Sequence, residues 1–211
     1  MQENPLLKLR GCGQSVWLDF LSRHLLNSGE LQGLIDADGL RGVTSNPAIF
    51  DKAISGSLDY DEDIGRLSRQ GKGLQEIYET LTVSDVQGAA DLFRPIYSEL
   101  QGADGFVSLE VNPHLAYDTP GTIAEARRLW AKLERPNVFI KVPATREGLP
   151  AIRRLIGEGI NVNVTLLFGL PRYREVAEAY LSGLEERAGR GQHLGVASVA
   201  SFFLSRIDTL V

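Results

Sequence analysis

Six short apolar runs alternate with stretches of helical spacing along this chain, and that alternation restricts its fold more than any other feature. The runs lie at residues 15–20 (SVWLDF), 40–45 (LRGVTS), 105–111 (GFVSLEV), 138–142 (VFIKV), 161–167 (NVNVTLL) and 195–201 (GVASVAS). Near-continuous apolar strands belong in a parallel sheet whose outer face is covered by helices. Their connections are then right-handed crossovers. The predicted class is α/β. A TIM (β/α)₈ barrel is the natural architecture, with about six of its eight β/α units present. No internal repeat or low-complexity linker interrupts the pattern, so residues 1–211 are expected to form a single domain.

The segments between the runs refine this outline. Residues 1–13 suggest a polar lead-in with a short apolar turn at Leu6, Leu7 and Leu9. Helices are expected at 21–27 and 31–36, and Asn46-Pro47 turns the chain because the residue before proline avoids helical geometry. Residues 51–103 form the longest helical region. The segments DYDEDIGRL and LQEIYETLTVSDVQGAADLFRPIYSEL flank a break at Gly71 and Gly73, which predicts several helices. This region exceeds an ordinary crossover and is expected to be an insertion between strands two and three that caps one end of the fold. Residues 119–133 carry Ile123, Ala126, Leu129, Trp130 and Leu133 on one helical face. Further helices are expected at 149–158, at 171–187, and from 206 to the last residue.

Composition excludes several function classes. Apolar residues make up 43% and charged residues 23%, which suits a globular protein with a buried core. The formal charge of −5 comes from interspersed acids and bases. Without a basic stripe, nucleic acid is not an expected partner. Anionic metabolites remain possible ligands, since a few local cations and backbone N–H groups suffice to hold them. Cys12 is the only cysteine, and no CxxC or Cys/His cluster suggests structural zinc. The N-terminal MQENPLLKLRGCGQS lacks the apolar core of a signal peptide, and no run is long enough to span a bilayer. The expected location is the cytoplasm, with no membrane partner.

The strands deliver polar groups at or just beyond their C-terminal ends: Asp19, then Thr44, Ser45 and Asn46, then Glu110, Lys141, Asn163 with Thr165, and Ser201. In a barrel, that rim is where active sites are built. Lys141 is the sharpest of these signals. It interrupts a run of β-branched and aromatic residues, where an ammonium ion is costly to desolvate. Desolvation favours the neutral amine, the form able to attack a carbonyl. The same position also suits an edge lysine whose stem lies on the sheet while its head reaches water. Glu110 and Asp19 are candidate proton carriers. Each could instead be a satisfied strand-end acid, and Asp19 precedes a helix that it could cap. Asn163 and Thr165 are two apart and share a strand face. They could hold a water or a substrate hydroxyl, or form an ordinary polar ladder. His24, His114 and His193 share no ligand spacing and are expected at the surface or in loops. The loop ATREGLP resembles a turn more than a phosphate cradle.

Taken together, GVTSNPAIF, GFVSLEV, FIKVPAT, INVNVTLLF and VASFFLSRID, in that order, resemble transaldolase over about residues 15–208. The resemblance implies a barrel of the class I aldolase type and a transferase of the pentose phosphate pathway. Such an enzyme moves a dihydroxyacetone unit from sedoheptulose 7-phosphate to glyceraldehyde 3-phosphate, giving erythrose 4-phosphate and fructose 6-phosphate. It implies Lys141 as the Schiff-base lysine and Asp19 as the acid that accepts the sugar hydroxyl proton. Glu110 and Thr165 would position a water for proton shuttling. Asn46 and Asn163 would hold hydroxyls of the donor, Ser201 and Phe203 would line the pocket, and Arg206 would bind phosphate. Neither metal nor organic cofactor is implied. The family continues beyond position 211 through two more β/α units, so exposed strand edges are expected, and with them either a homo-oligomer or association through those edges. The alternatives are a related aldolase such as fructose 6-phosphate aldolase, or a non-catalytic barrel fragment.

Overall fold

In the computed structural model, which describes residues 4–209, the apolar runs form six parallel strands ordered β1 to β6 along the chain. The strands alternate with ten α-helices among the described residues, which establishes the α/β class. Contacts divide the molecule into two compact units, one up to Leu109 together with Leu133–Val138, the other Glu110–Lys132 and the residues from Phe139 onward.

The first unit begins with α1 (Pro5–Gly11), β1 (Trp17–Leu18), α2 (Arg23–Asn27) and α3 (Glu30–Gly33). A wider π-type turn, Leu34–Asp38, leads from α3 to β2 (Gly42–Val43). Then follow α4 (Pro47–Ser55), α5 (Asp61–Arg69), α6 (Leu74–Glu99) and β3 (Phe106–Glu110). Gly42 pairs with Trp17 on one side and Phe106 on the other. A Cβ at Gly42 would lie 2.4 Å from the Trp17 ring and 2.9 Å from the Phe106 carbonyl, so only glycine lets the indole cover the strand there. The helical insertion has its own core of Ala53, Tyr60, Leu67, Ile77 and Leu81. Burying a leucine or isoleucine such as Leu67, Ile77 or Leu81 stabilises by about 1.5–3 kcal/mol.

A buried polar network ties α2 to that insertion. Arg23 Nε and Nη2 donate to Asp85 Oδ1 at 3.0 and 2.9 Å, while the Tyr60 hydroxyl donates to Asp85 Oδ2 at 2.8 Å. The Arg23 backbone N–H donates to the Tyr60 oxygen at 2.9 Å, and its guanidinium lies 4.7 Å from the Tyr60 ring centroid. Asp63 pairs with the same guanidinium. Burial pushes the Asp85 carboxyl up, against the pull of Arg23. Burial, with the Asp85 charge second, raises the Tyr60 phenol.

The second unit holds α7 (Thr119–Leu133), β4 (Val138–Pro143), α8 (Gly148–Glu158), β5 (Val162–Leu167), α9 (Leu170–Gly189), β6 (Ser198–Phe202) and α10 (Leu204–Asp208), apart from the residues at the ends of α7 and β4 that belong to the first. β5 lies between β4 and β6, with Lys141 opposite Asn163 and Val162 opposite Ser198. Helices α8 and α9 pack closely because Gly183 has no side chain. A Cβ there would meet the Arg153 carbonyl at 2.7 Å and Ile156 at 2.9 Å.

The strand and helix pattern follows the expected one, with local differences. The N-terminal lead-in is a helix, because Asn4 accepts a hydrogen bond from Leu6 N–H at 3.0 Å and Pro5 opens the first turn. Strands β1 and β2 are only two residues each, shorter than the apolar runs containing them. The insertion is three helices, α4 to α6, with the Gly71 and Gly73 break between the last two. The final helix begins at Leu204 rather than Arg206, and its expected extension through residues 210 and 211 lies outside the described residues.

Candidate active site

Every residue of β4 is buried, and Lys141 is only 5% exposed. Its ammonium nitrogen lies 3.3 Å from Glu110 Oε2, the acid at the end of β3. The Val111 backbone N–H donates to the Lys141 carbonyl at 3.2 Å, which holds the two strand ends in step. A buried ion pair is weak evidence for stability, because its attraction has to offset the desolvation of both charges. Its chemical value is different: a carboxylate beside a buried amine can take or return a proton where bulk water is scarce.

Asn163 is the register partner of Lys141, so in a parallel pair both side chains leave the sheet on one face. The Ser201 hydroxyl donates to Asn163 Oδ1 at 2.9 Å from β6, which fixes the amide's orientation. Asn163 and Thr165 are each 2% exposed. Immediately after Thr165 the ladder slips: Val164 pairs with Ala200, but Leu167 pairs with Phe202, so β5 carries one extra residue. That bulge is centred on Leu166, whose φ of 62° lies in the left-handed region. A leucine there is strained, and such strain persists only where surrounding structure imposes it. Phe203 follows β6, with its N–H donating to the Leu167 carbonyl at 3.1 Å. Arg206, on α10, places its guanidinium 5.1 Å from the Phe203 ring centroid.

Asp19 and Asn46 belong to the first unit, one residue past β1 and at the start of α4. Asp19 is exposed and does not cap the helix that follows it. Ser22 does so, its hydroxyl accepting from Leu25 N–H at 3.2 Å. The capping alternative for Asp19 therefore falls away. Asn46 does cap α4, its side-chain oxygen accepting from Ile49 N–H at 2.9 Å, which leaves its amide NH₂ as the group available to a ligand. Nearby, the Ser45 hydroxyl donates to the Ser108 carbonyl at 2.8 Å. His24, His114 and His193 are exposed, as expected.

Two features were not legible in sequence. The left-handed Leu166 carries no glycine or asparagine signal. Phe168, one residue beyond β5, stacks on Phe203 with centroids 5.4 Å apart and planes 20° apart. Its only sequence cue is that both aromatics follow strand ends.

A sequence model of the Transaldolase/Fructose-6-phosphate aldolase family matches residues 16–211. The chain is 52% identical over 210 residues to a transaldolase of Trichodesmium erythraeum, covering 99% of this chain and 55% of that protein. It is 52% identical over 202 residues to a transaldolase of Saccharopolyspora erythraea, covering 95% and 55%. Against a transaldolase of Mycobacterium tuberculosis the identity is 50% over 209 residues, covering 98% and 56%. The chain thus spans about half the length of the curated relatives it matches.

Proposed function

The chain belongs to the Transaldolase/Fructose-6-phosphate aldolase family, and from that premise we propose that it carries the Schiff-base machinery of a transaldolase, a transferase acting on sugar phosphates. The observation that carries this reading is the buried Lys141 amine 3.3 Å from the Glu110 carboxylate, with Asn163 beside it on the same face. The six strands and their helices are six β/α units of the family's eight-unit barrel, which we take to be one domain.

In the proposed reaction, Lys141 Nζ attacks the carbonyl carbon of a ketose phosphate. Glu110, through a water held with Thr165, passes a proton to the departing hydroxyl, so that water leaves and an iminium remains. The iminium accepts the electron pair of the C3–C4 bond as that bond breaks. The hydroxyl proton on C4 goes to a carboxylate acting as base, a role assigned to Asp19 by its sequence motif, and an aldose phosphate is released. The three-carbon enamine then attacks the aldehyde carbon of the acceptor, and water returns to free the lysine. Sedoheptulose 7-phosphate and glyceraldehyde 3-phosphate would give erythrose 4-phosphate and fructose 6-phosphate, a reaction of the pentose phosphate pathway. Asn163 and Asn46 would hold donor hydroxyls, Ser201 and Phe203 would line the pocket, and Arg206 would face the phosphate.

The transaldolase reading is favoured over the aldolase one by the relatives at about 50% identity, which are named transaldolases. Among the described residues no helix is long and apolar enough to cross a membrane. The cytoplasmic location is part of the proposal and follows from the transaldolase reading alone. Borohydride trapping with fructose 6-phosphate, read by intact mass, tests the proposal. The parent should gain a reduced three-carbon adduct on Lys141, and Lys141→Ala should gain none. An adduct of equal yield in Lys141→Ala would remove Lys141 from its role, and no adduct in the parent would favour a non-catalytic barrel fragment. Release of free dihydroxyacetone without an acceptor would favour the aldolase.

A further inference from the structure

The strand ends of the second unit carry an aromatic pair, Phe168 and Phe203, of which the proposed chemistry uses only Phe203, as pocket lining. Phe168 follows the last residue of β5 and Phe203 follows the last residue of β6. The Phe203 N–H to Leu167 carbonyl bond, 3.1 Å long, brings these two positions level. The rings stack with centroids 5.4 Å apart and planes within 20°, an offset geometry favoured by aromatic quadrupoles. Phe168 remains 48% exposed, so it is not there to fill a core. The guanidinium of Arg206 in turn lies 5.1 Å from the Phe203 centroid, within cation–π range.

From this arrangement we infer that Phe168 is a positioning residue for anion binding: it fixes the Phe203 ring, and the ring holds the Arg206 guanidinium where a substrate phosphate arrives. The inference rests on the sugar-phosphate reading given above. An exposed arginine on several rotatable bonds loses much of its freedom when it grips an anion. A ring that already restrains the guanidinium lessens that loss, and a ring that is itself clamped restrains it better. Phe203 could swing away from Arg206 if its other support were removed. Phe168 then acts through Phe203, so its effect is confined to the charged end of the substrate.

Phe168→Ala should raise KM for fructose 6-phosphate about three- to tenfold, the range expected for loss of one aromatic pair. Its kcat should stay near the parent value. The inhibition constant for inorganic phosphate should rise by a similar factor. Borohydride trapping of dihydroxyacetone, which has no phosphate, should proceed at the parent rate. Phe168→Tyr and Phe168→Trp should restore phosphate affinity, while Phe168→Leu, which keeps apolar bulk without a stack, should not. Unchanged phosphate inhibition in Phe168→Ala would overturn the inference, as would an equal slowing of dihydroxyacetone trapping or full rescue by leucine. If the parent is not trapped by either sugar, the Schiff-base reading fails. The role of Phe168 is then still decided by titrating inorganic phosphate against the parent, Phe168→Ala and Arg206→Met. Loss of affinity in both variants supports it, and loss in neither, or in Arg206→Met alone, refutes it.

Discussion

Lys141 Nζ and Glu110 Oε2 lie 3.3 Å apart, with side chains 7% and 14% exposed, so the amine and a carboxylate close enough to exchange a proton with it share desolvated surroundings. Glu110→Gln keeps the size and an acceptor oxygen and removes only the acid–base capacity. Iminium formation with fructose 6-phosphate, followed by stopped trapping, should slow by about 10²–10⁴-fold. Circular dichroism should show an unchanged fold. A trapping rate within a few-fold of the parent would make Glu110 a structural acid.

Arg23 offers a test of stability away from that pair. Its guanidinium is the charged partner of Asp85, which is 2% exposed and shares its other oxygen with the Tyr60 hydroxyl. Arg23→Met should strand a buried carboxyl and cost about 3–5 kcal/mol in urea denaturation. Adding Asp85→Asn should recover part of that loss, because no charge is then left unpaired and the amide oxygen can still accept from Tyr60. If the double variant is no more stable than Arg23→Met, the penalty comes from lost packing rather than from the stranded charge.

The sequence made the two layers of this fold visible because each β-branched run and each amphipathic face satisfies a local period. The helix over Thr119–Leu133 falls where the spacing of Ile123, Ala126, Leu129 and Leu133 puts it. Lys141 could be singled out because an amine within VFIKV contradicts its surroundings. What escaped was set by pairing between distant segments. Ser22 rather than Asp19 caps α2, a choice between two good capping residues three positions apart. The bulge at Leu166 arises from the register between β5 and β6, and the stack of Phe168 on Phe203 follows from that register. No window of local sequence contains both partners.

Leu166 itself gives a backbone prediction. At φ 62° a leucine pays a steric penalty of about 1–2 kcal/mol that glycine avoids. The side chain is 46% exposed, so its removal loses little burial. Leu166→Gly should therefore keep or raise Tm despite the greater freedom of the unfolded glycine. Leu166→Val, whose branched Cβ is worse in this region, should lower it. Thermal melts of the three proteins should rank glycine at or above leucine, and leucine above valine. The reverse ranking would mean that contacts of the leucine side chain outweigh the strain.

Glu158 supplies the pH dependence. Its carboxylate accepts from Arg127 Nε at 2.7 Å and from Arg154 Nε at 2.5 Å, joining α7 to α8 within the second unit. The hydrogen bond from Arg127, followed by that from Arg154, holds the carboxyl down to about 2, against an ordinary value of 4.5. A carboxyl whose folded value is depressed stabilises the protein above its unfolded value and loses that contribution as pH falls through the folded one. The Glu158 contribution should accordingly be complete at about pH 6–7, decline below 4.5, and be nearly gone near pH 2. Glu158→Gln removes the titrating group. The difference in urea midpoint between parent and variant should be largest near neutrality and should narrow steadily between pH 4.5 and pH 3. Because Glu158 is 23% exposed, added salt should shrink the neutral-pH difference as well. A difference that stays constant from pH 7 to pH 3 would show that Glu158 acts through packing, and that its ion pairs with Arg127 and Arg154 add nothing to the folded state.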